Sequence, residues 1–172
     1  MITIDNKLLL RKPNHDDLES LYILKNDIES NAMLGQGFYR GYSKEDIIKW
    51  IDYHNSADNE VIFGIQELQS QKLIGHVGFY NIDYRNRKAE FAILIADKES
   101  RGKGYGNLCS KFMISYGYDQ LNLNRVELSV IESNIIAISL YEKIGFEKEG
   151  LLKQALYKNG EYHNVVLMAK FK

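Results

Sequence analysis

The sequence predicts a single α/β domain, residues 1–172, with a mixed, mostly antiparallel central sheet and helices on both of its faces. Three observations carry that expectation. Apolar runs at Val61–Glu67, Leu73–Asp83 and Ala89–Ala96 are separated only by the polar turns Gln69-Ser70-Gln71 and Arg85-Asn86-Arg87, and connections that short join antiparallel neighbours. A strand, helix, strand, helix succession follows, and a strand–helix–strand unit needs a crossover that favours parallel pairing. Finally, Asn159-Gly160 lies between two strand-like runs and is the best short hairpin signal in the chain.

Taken in order, Lys7 to Arg11 reads as a short first strand closed by Pro13. Asn14 with Asp17 three residues on is a helix-start signature, and Leu18, Leu21 and Tyr22 mark one face of the helix that follows. Ser43 with Asp46 repeats the signal, with Ile47, Ile51 and His54 at helical spacing. Between these helices, residues 31–42 carry Gly35, Gly37 and Gly41 among Phe38, Tyr39 and Tyr42. Glycine freedom beside aromatic rings suits a flap over a ligand, and a plain surface loop would read the same way. The three strands come next. After them, Leu108–Tyr118 is an amphipathic helix, Val126–Ile131 a strand, and Ile135–Lys143 a second helix. Its apolar stripe is Ala137, Leu140, Tyr141 and Ile144, at i, i+3, i+4 and i+7. Leu151–Tyr157 and Tyr162–Lys170 form the closing hairpin.

Composition narrows the function classes. A net charge of −1 supplies no global basic field for nucleic acid. No run approaches the roughly 18 apolar residues a membrane span needs. The first seven residues lack the charged and apolar regions of a secretory signal, so the cytoplasm is the expected compartment. Cys109 is the sole cysteine and falls on an apolar helix face, which reads as core filling rather than a nucleophile. The histidines at 15, 54, 76 and 163 lack the short spacing of metal ligands, so no metal is expected.

The most informative stretch is Arg101-Gly102-Lys103-Gly104-Tyr105-Gly106, because it joins the strand Phe91–Ala96 to the helix Leu108–Tyr118. Glycines there let the backbone turn sharply and approach a ligand. The first amides of a helix have no intrahelical partner and its dipole makes that end electropositive, which suits phosphate or pyrophosphate. Arg101 and Lys103 add positive charge. Neither the dinucleotide fingerprint G-x-G-x-x-G nor the Walker pattern G-x-x-x-x-G-K-[ST] is present.

The turn resembles instead the [RQ]-x-x-G-x-[GA] signature of the GNAT N-acetyltransferases, with Arg101, Gly104 and Gly106 at its defining positions. Residues 134–146 resemble the family's other segment, N-x-x-A-x-x-L-Y-x-K-x-G-F. The resemblance runs from Leu8 to Phe171 and is nearest to the branch of ribosomal-protein N-terminal and spermidine acetyltransferases. It implies a GNAT-like sheet, acetyl-CoA as cosubstrate, and direct transfer to an amine acceptor. It also implies that residues 101–106 bind the cofactor pyrophosphate, and that the strand holding Ile93, Leu94, Ile95 and Ala96 splays from its neighbour to offer its backbone to the pantetheine arm.

By the same resemblance, Tyr141 faces the thioester sulfur and protonates the departing thiolate; read alone, it would be a core aromatic. A phenol near pKa 10 is close enough to a thiol for that transfer. An amine acceptor must also lose a proton, and Glu90 is the preferred base. Strand alternation places it with Ala92, Leu94 and Ala96 on a face otherwise apolar, which would raise its pKa. The competing reading is a strand-end ion pair with Arg87 or Lys88, and a water relay could replace a direct base. Asn134 is implied as a cofactor contact and reads equally as a helix N-cap. Lys143 could meet a cofactor phosphate or sit solvated at a helix end. His163 either edges the acceptor pocket or lies on ordinary surface.

Two other functions fit the same loop: a CoA-binding sensor without turnover, which the retained Tyr141 argues against, and an ATP-binding protein, which the missing Walker residues argue against. The acceptor stays open among polyamines, amino sugars and protein N-termini, and homo-oligomerisation stays open too. Spermidine acetyltransferases carry an acidic acceptor loop, yet residues 33–39 here contain no carboxylate, although Asp27, Glu29 and Glu45 lie nearby.

Overall fold

A computed structural model describes residues 1–31 and 41–172. One eight-stranded sheet organises them, in the order β1-β2-β3-β4-β5-β6-β8-β7. The strands are β1 (Ile2–Ile4), β2 (Leu8–Arg11), β3 (Val61–Glu67), β4 (Leu73–Asp83), β5 (Lys88–Ile95), β6 (Arg125–Ile131), β7 (Glu147–Lys158) and β8 (Glu161–Phe171). Every neighbouring pair is antiparallel except β5 with β6, the pair joined through a helix. The expected mixed sheet is therefore the one observed.

The helices are α1 (Leu18–Asn26), α2 (Ile28–Asn31), α3 (Lys44–Ser56), α4 (Tyr105–Asp119) and α5 (Ile135–Lys143). Both start signals work as read. Asn14 and Asp17 form a reciprocal capping box ahead of α1, and Ser43 and Asp46 form another on α3. Asp17 also serves as an anchor, since its buried carboxylate takes two hydrogen bonds from Arg11, at 2.7 and 2.6 Å. That pairing ties the first helical turn to β2.

Helices cover the two faces unequally. Leu21 of α1 and Ile47 and Ile51 of α3 bury a small cluster with Leu73. On the opposite face α4 and α5 pack the main core, where Cys109, Met113 and Ile138 meet Val77, Phe79, Phe91 and Val126. Each such side chain contributes about 1.5–3 kcal/mol by leaving water. Cys109 is fully buried and its thiol is pushed up to about 12 by that burial, so it is core filling.

Several elements differ from expectation: α2 is an additional short helix, α4 begins at Tyr105 rather than Leu108, and β1 and β7 differ as well. The strand β1 is not expected from the sequence, because three residues are too few to show a period. β7 begins at Glu147 rather than Leu151; its first four residues, Glu-Lys-Glu-Gly, show no apolar alternation and are strand only because β8 pairs with them. Of the glycine-rich segment expected as a flap or loop, Gly35, Gly37, Phe38 and Tyr39 lie outside the described residues. At its end, the Asn26 side chain bonds both the N–H and the C=O of Tyr42, at 2.9 and 3.0 Å.

Candidate active site

The sheet opens at one place. β5 pairs with β4 from Lys88 to Ile95, but on its other side β6 meets only Lys88, Ala89 and Glu90, opposite Arg125, Val126 and Glu127. Beyond the Glu90–Glu127 rung the parallel strands part, leaving one backbone edge of Phe91–Ile95 without a β6 partner. The Ala96 N–H donates to Ile74 O at 2.9 Å, so Ala96 faces β4. Alternation along the strand then turns Leu94 toward β4 and Ile93 and Ile95 toward the opening. Of the four residues whose backbone is expected to hold the pantetheine arm, Ile93 and Ile95 are so turned, while Leu94 and Ala96 face β4.

Close approach of β4 keeps this edge in position. A Cβ on Gly75 would lie 1.9 Å from Leu94 O, so only glycine lets the strands pair here. Past Ile95 the chain enters the glycine turn. Gly102 and Gly104 take φ values of 74° and 80°, where a side chain is strained, and a Cβ at either would meet nothing within 4 Å. Gly104 caps α4, and its carbonyl accepts the first helical bond, from Leu108 N at 3.1 Å. The amides of Tyr105 and Gly106 precede that bond and have no intrahelical partner. A bare backbone turn, left-handed glycines and open space above them fit a pyrophosphate.

The two cations of the turn are engaged elsewhere. Arg101 Nε donates to Ile95 O at 3.0 Å and another guanidinium nitrogen to Ala96 O at 3.2 Å, which clamps the turn to the end of β5. Lys103 Nζ lies 3.2 Å from a Glu67 carboxylate oxygen. That same oxygen accepts from the Tyr105 hydroxyl at 2.8 Å, and the other Glu67 oxygen accepts from Ser70 Oγ at 2.6 Å. These donors, Ser70 first, hold the Glu67 carboxyl down at about 2. Sequence reasoning misses Glu67, whose only signal is that of an acidic residue ending an apolar strand.

Tyr141 sits where the strands part. Its ring packs edge-on to Phe91, the first residue past the last paired rung, at 6.4 Å between centroids, and against Phe146 at 5.8 Å. The side chain is 8% exposed, and burial pushes its phenol up to about 12. Among the described residues its hydroxyl has no hydrogen-bond partner. Gly106 approaches the neighbouring Leu140 side chain closely enough that a Cβ would lie 3.5 Å from it, so the glycine turn and α5 converge.

Glu90 lies on the opposite face, half-buried, and accepts from Asn81 Nδ2 at 3.1 Å. Its surroundings are not the apolar ones expected, because its strand neighbours are Tyr80 and Glu127. The competing ion pair is also absent. Lys88 pairs with Glu127 at 3.2 Å, and Arg87 bonds the Asn122 carbonyl at 2.7 Å. Arg125 holds Glu127 as well, at 2.7 Å, and reaches Glu149. Burial would push the Glu127 carboxyl up, but Arg125 and Lys88 more than offset it and keep it below the usual range.

Farther along this face Trp50 stacks edge-on to His54 and His76, and the His54 ring pairs with Glu60. Lys25 lies 4.0 Å over the Trp50 ring, and burial lowers its ammonium to about 8. Burial, with the Lys25 charge second, pushes His76 down to about 3. Asn134 caps α5 by accepting from Ala137 N at 3.2 Å, while Lys143 is exposed at the helix end. His163 is half-buried, 3.3 Å from Lys158 O, beside a cavity of about 260 Å³ that Glu132, Tyr162 and Asn164 also line. Among the described residues, no helix is long and apolar enough to cross a membrane, and no group of three metal-ligating side chains occurs.

Residues 10–167 match the family model of the acetyltransferase (GNAT) domain. The chain is 30% identical over 127 residues to a spermidine N(1)-acetyltransferase of Vibrio cholerae, covering 74% of this chain and 71% of that protein. It is 29% identical over 125 residues to an uncharacterized N-acetyltransferase, p20, of Bacillus licheniformis, covering 72% and 70%. Its fold matches the crystal structure of Vibrio cholerae spermidine N-acetyltransferase in complex with CoA and spermine. The TM-score is 0.88, with 30% identity and coverage of 97% and 96% of the two chains.

Proposed function

The chain belongs to the GNAT acetyltransferase family, and from that premise we propose how its own residues carry out the transfer and which amine receives the acetyl group. As a member it is an acetyl-CoA-dependent N-acetyltransferase acting on a primary amine. The observation that carries the detailed reading is the parting of β5 from β6 directly after the Glu90–Glu127 rung, with Tyr141 packed on Phe91 at that point.

Acetyl-CoA, when bound, supplies an acyl group activated as a thioester. The Tyr105 and Gly106 amides at the head of α4 hold the pyrophosphate, with Arg101 fixing the turn. Ile93 offers its backbone N–H and C=O, and Ile95 its N–H, to the pantetheine arm, and Asn134 fixes the start of α5 beside it. Lys143 reaches a phosphate from the end of α5. Backbone N–H groups of β5 polarise the carbonyl being attacked. Glu90 receives the proton that the acceptor ammonium must lose, directly or through water, and Asn81 orients its carboxylate. An alkylammonium near pKa 10.4 needs that help at neutral pH. Tyr141 keeps its proton across the physiological range and gives it up at the sulfur, once negative charge forms there.

The acceptor class best supported is a small polycationic amine such as spermidine. Likeness to a spermidine acetyltransferase over most of both chains supports it. So does Glu90, whose carboxylate stands where the strands part and is bonded to a neutral amide rather than to a cation. The acceptor screen follows CoA thiol release with spermidine, spermine, glucosamine and a peptide bearing a free N-terminus. Polyamines should give the highest kcat/KM. A tenfold preference for the peptide or the amino sugar would overturn the acceptor assignment, and no thiol release with any amine would overturn the catalytic one.

A further inference from the structure

Glu67 is 9% exposed and ends β3, outside the two motifs that identify the cofactor site. Its carboxylate nevertheless reaches into the glycine turn. It contacts Lys103 at 3.2 Å and the Tyr105 hydroxyl at 2.8 Å, and Ser70 anchors it from behind at 2.6 Å. Lys103 stands between the two left-handed glycines, and Tyr105 is the first residue of α4. The ammonium also lies 5.7 Å from the Tyr105 ring centroid. A fixed negative charge thus sits beside a turn built for an anion, already bonded to the turn's own lysine.

We propose that Glu67 is a positioning residue of the cofactor site: an internal counter-anion that holds Lys103 and Tyr105 and competes with the CoA phosphates for Lys103. This rests on the reading of the turn as the pyrophosphate site. The competition has a definite sign. An ammonium that leaves a carboxylate for a phosphate exchanges one charge-assisted bond for another, so its net contribution to binding is small. The carboxylate left behind then repels the incoming anion. Glu67 therefore weakens cofactor affinity while ordering the turn, which favours release of CoA after transfer.

The test is calorimetric titration of CoA into four full-length proteins: wild type, Glu67→Gln, Lys103→Met and the double variant. Thermal melts without CoA run in parallel. The glutamine carbonyl can still accept from Tyr105, and its amide N–H can donate to the Ser70 hydroxyl, so the turn keeps its anchors. Expected results are a 3- to 30-fold tighter Kd for Glu67→Gln and less than a threefold loss for Lys103→Met. The Glu67→Gln gain should shrink in the Lys103→Met background, and the Glu67→Gln protein should bind with a steeper salt dependence. Unchanged or weaker binding by a folded Glu67→Gln protein overturns the proposal, as does an equal gain in both backgrounds. If Glu67→Gln does not fold, Lys103→Met decides alone: a loss above tenfold makes Lys103 a committed phosphate ligand and overturns the competition. Wild-type protein that binds no CoA would overturn the pyrophosphate reading as well, an outcome distinct from a wild type that binds normally and variants that do not differ.

Discussion

Tyr141 and Phe91 meet edge to face, 6.4 Å between ring centroids and 87° between planes, at the point where β5 loses β6 as a neighbour. One ring belongs to the strand whose backbone edge is left open, the other to the helix that follows the strand departing from it. The contact thus bridges the two walls of the opening and fixes the phenol between them. Packing the ring this way has an electrostatic consequence. Burial pushes the Tyr141 phenol up to about 12, so it holds its proton at every physiological pH. It gives that proton up only to the strongly basic thiolate that forms as CoA departs.

Replacing Tyr141 by Phe should lower kcat by about 10- to 1,000-fold, the range of general-acid contributions. Cofactor affinity should change little, because the proton is needed only once charge forms on sulfur. The ring contacts with Phe91 and Phe146 survive, and the lost hydroxyl has no partner among the described residues, so the melting temperature should hold. Steady-state kinetics, CoA titration and a thermal melt check the three parts. An unaltered kcat in a folded variant would return Tyr141 to the core.

Gly104→Asp should abolish useful acetyl-CoA binding while the fold survives. Its φ of 80° strains any side chain, by roughly 1–2 kcal/mol, but a Cβ there meets nothing. An aspartate would place negative charge where the helix end attracts an anion. Gly104→Ala is the control that carries the strain without the charge. Circular dichroism and calorimetric titration on both variants separate folding from binding, and normal binding by the aspartate variant would refute the phosphate-turn reading.

Gly75→Ala should act on the cofactor strand through β4. Its Cβ would stand 1.9 Å from Leu94 O, so β4 and β5 must separate locally. Overpacking of this kind costs about 1–3 kcal/mol, a fall in Tm of about 2–12 °C at roughly 2–4 °C per kcal/mol. The KM for acetyl-CoA should rise with it, because Leu94 and Ile95 shift. A Tm loss with unchanged KM would mean that the open edge of β5 does not hold the arm.

Asp17→Asn should lose stability in a pH-dependent way. Burial alone would raise the Asp17 carboxyl, but Arg11 and the Asn14 amide more than offset that and hold it below the ordinary value. A depressed folded pKa contributes stability that is present above the unfolded value, near 3.9, and lost as pH falls through the folded one. The variant should therefore be weaker than wild type by about 1.5–3 kcal/mol at pH 7, and the gap should close below about pH 4. Urea melts at several pH values measure it, and a gap of constant size would mean that the Arg11–Asp17 charge contributes nothing.

Much of this architecture is legible in the sequence because its signals are local. Asn14 with Asp17, Ser43 with Asp46, the glycine turn and the stripe ending at Ile144 are each complete within a few residues. What depends on distant partners is not. Nothing in Arg101 or Lys103 shows that one is held by the Ile95 and Ala96 carbonyls and the other by Glu67, 36 residues away. Likewise the parting of β5 from β6 cannot be read from either strand; it comes with the family resemblance. The polar surroundings of Glu90 escape the sequence because alternation along one strand says nothing of Tyr80, Asn81 and Glu127 on its neighbours.

Those neighbours decide how Glu90 is tested. Lys88 and Arg125 are both committed to Glu127, which leaves Glu90 bonded to a neutral amide. If Glu90 takes the acceptor proton, Glu90→Gln should remove the acidic limb of the kcat/KM profile. The remaining rate should rise with pH until the free amine is itself deprotonated. Glutamine keeps the size of the side chain and can still accept from Asn81, so a large effect reports lost proton acceptance rather than lost packing. Asn81→Ala gives a second measure: it should lower kcat/KM by leaving the carboxylate unoriented, without removing the limb. The measurement is a pH–rate series on all three proteins with the best amine from the screen. Superimposable wild-type and Glu90→Gln profiles would exclude Glu90 and leave a water relay, or desolvation of the amine, to take the proton.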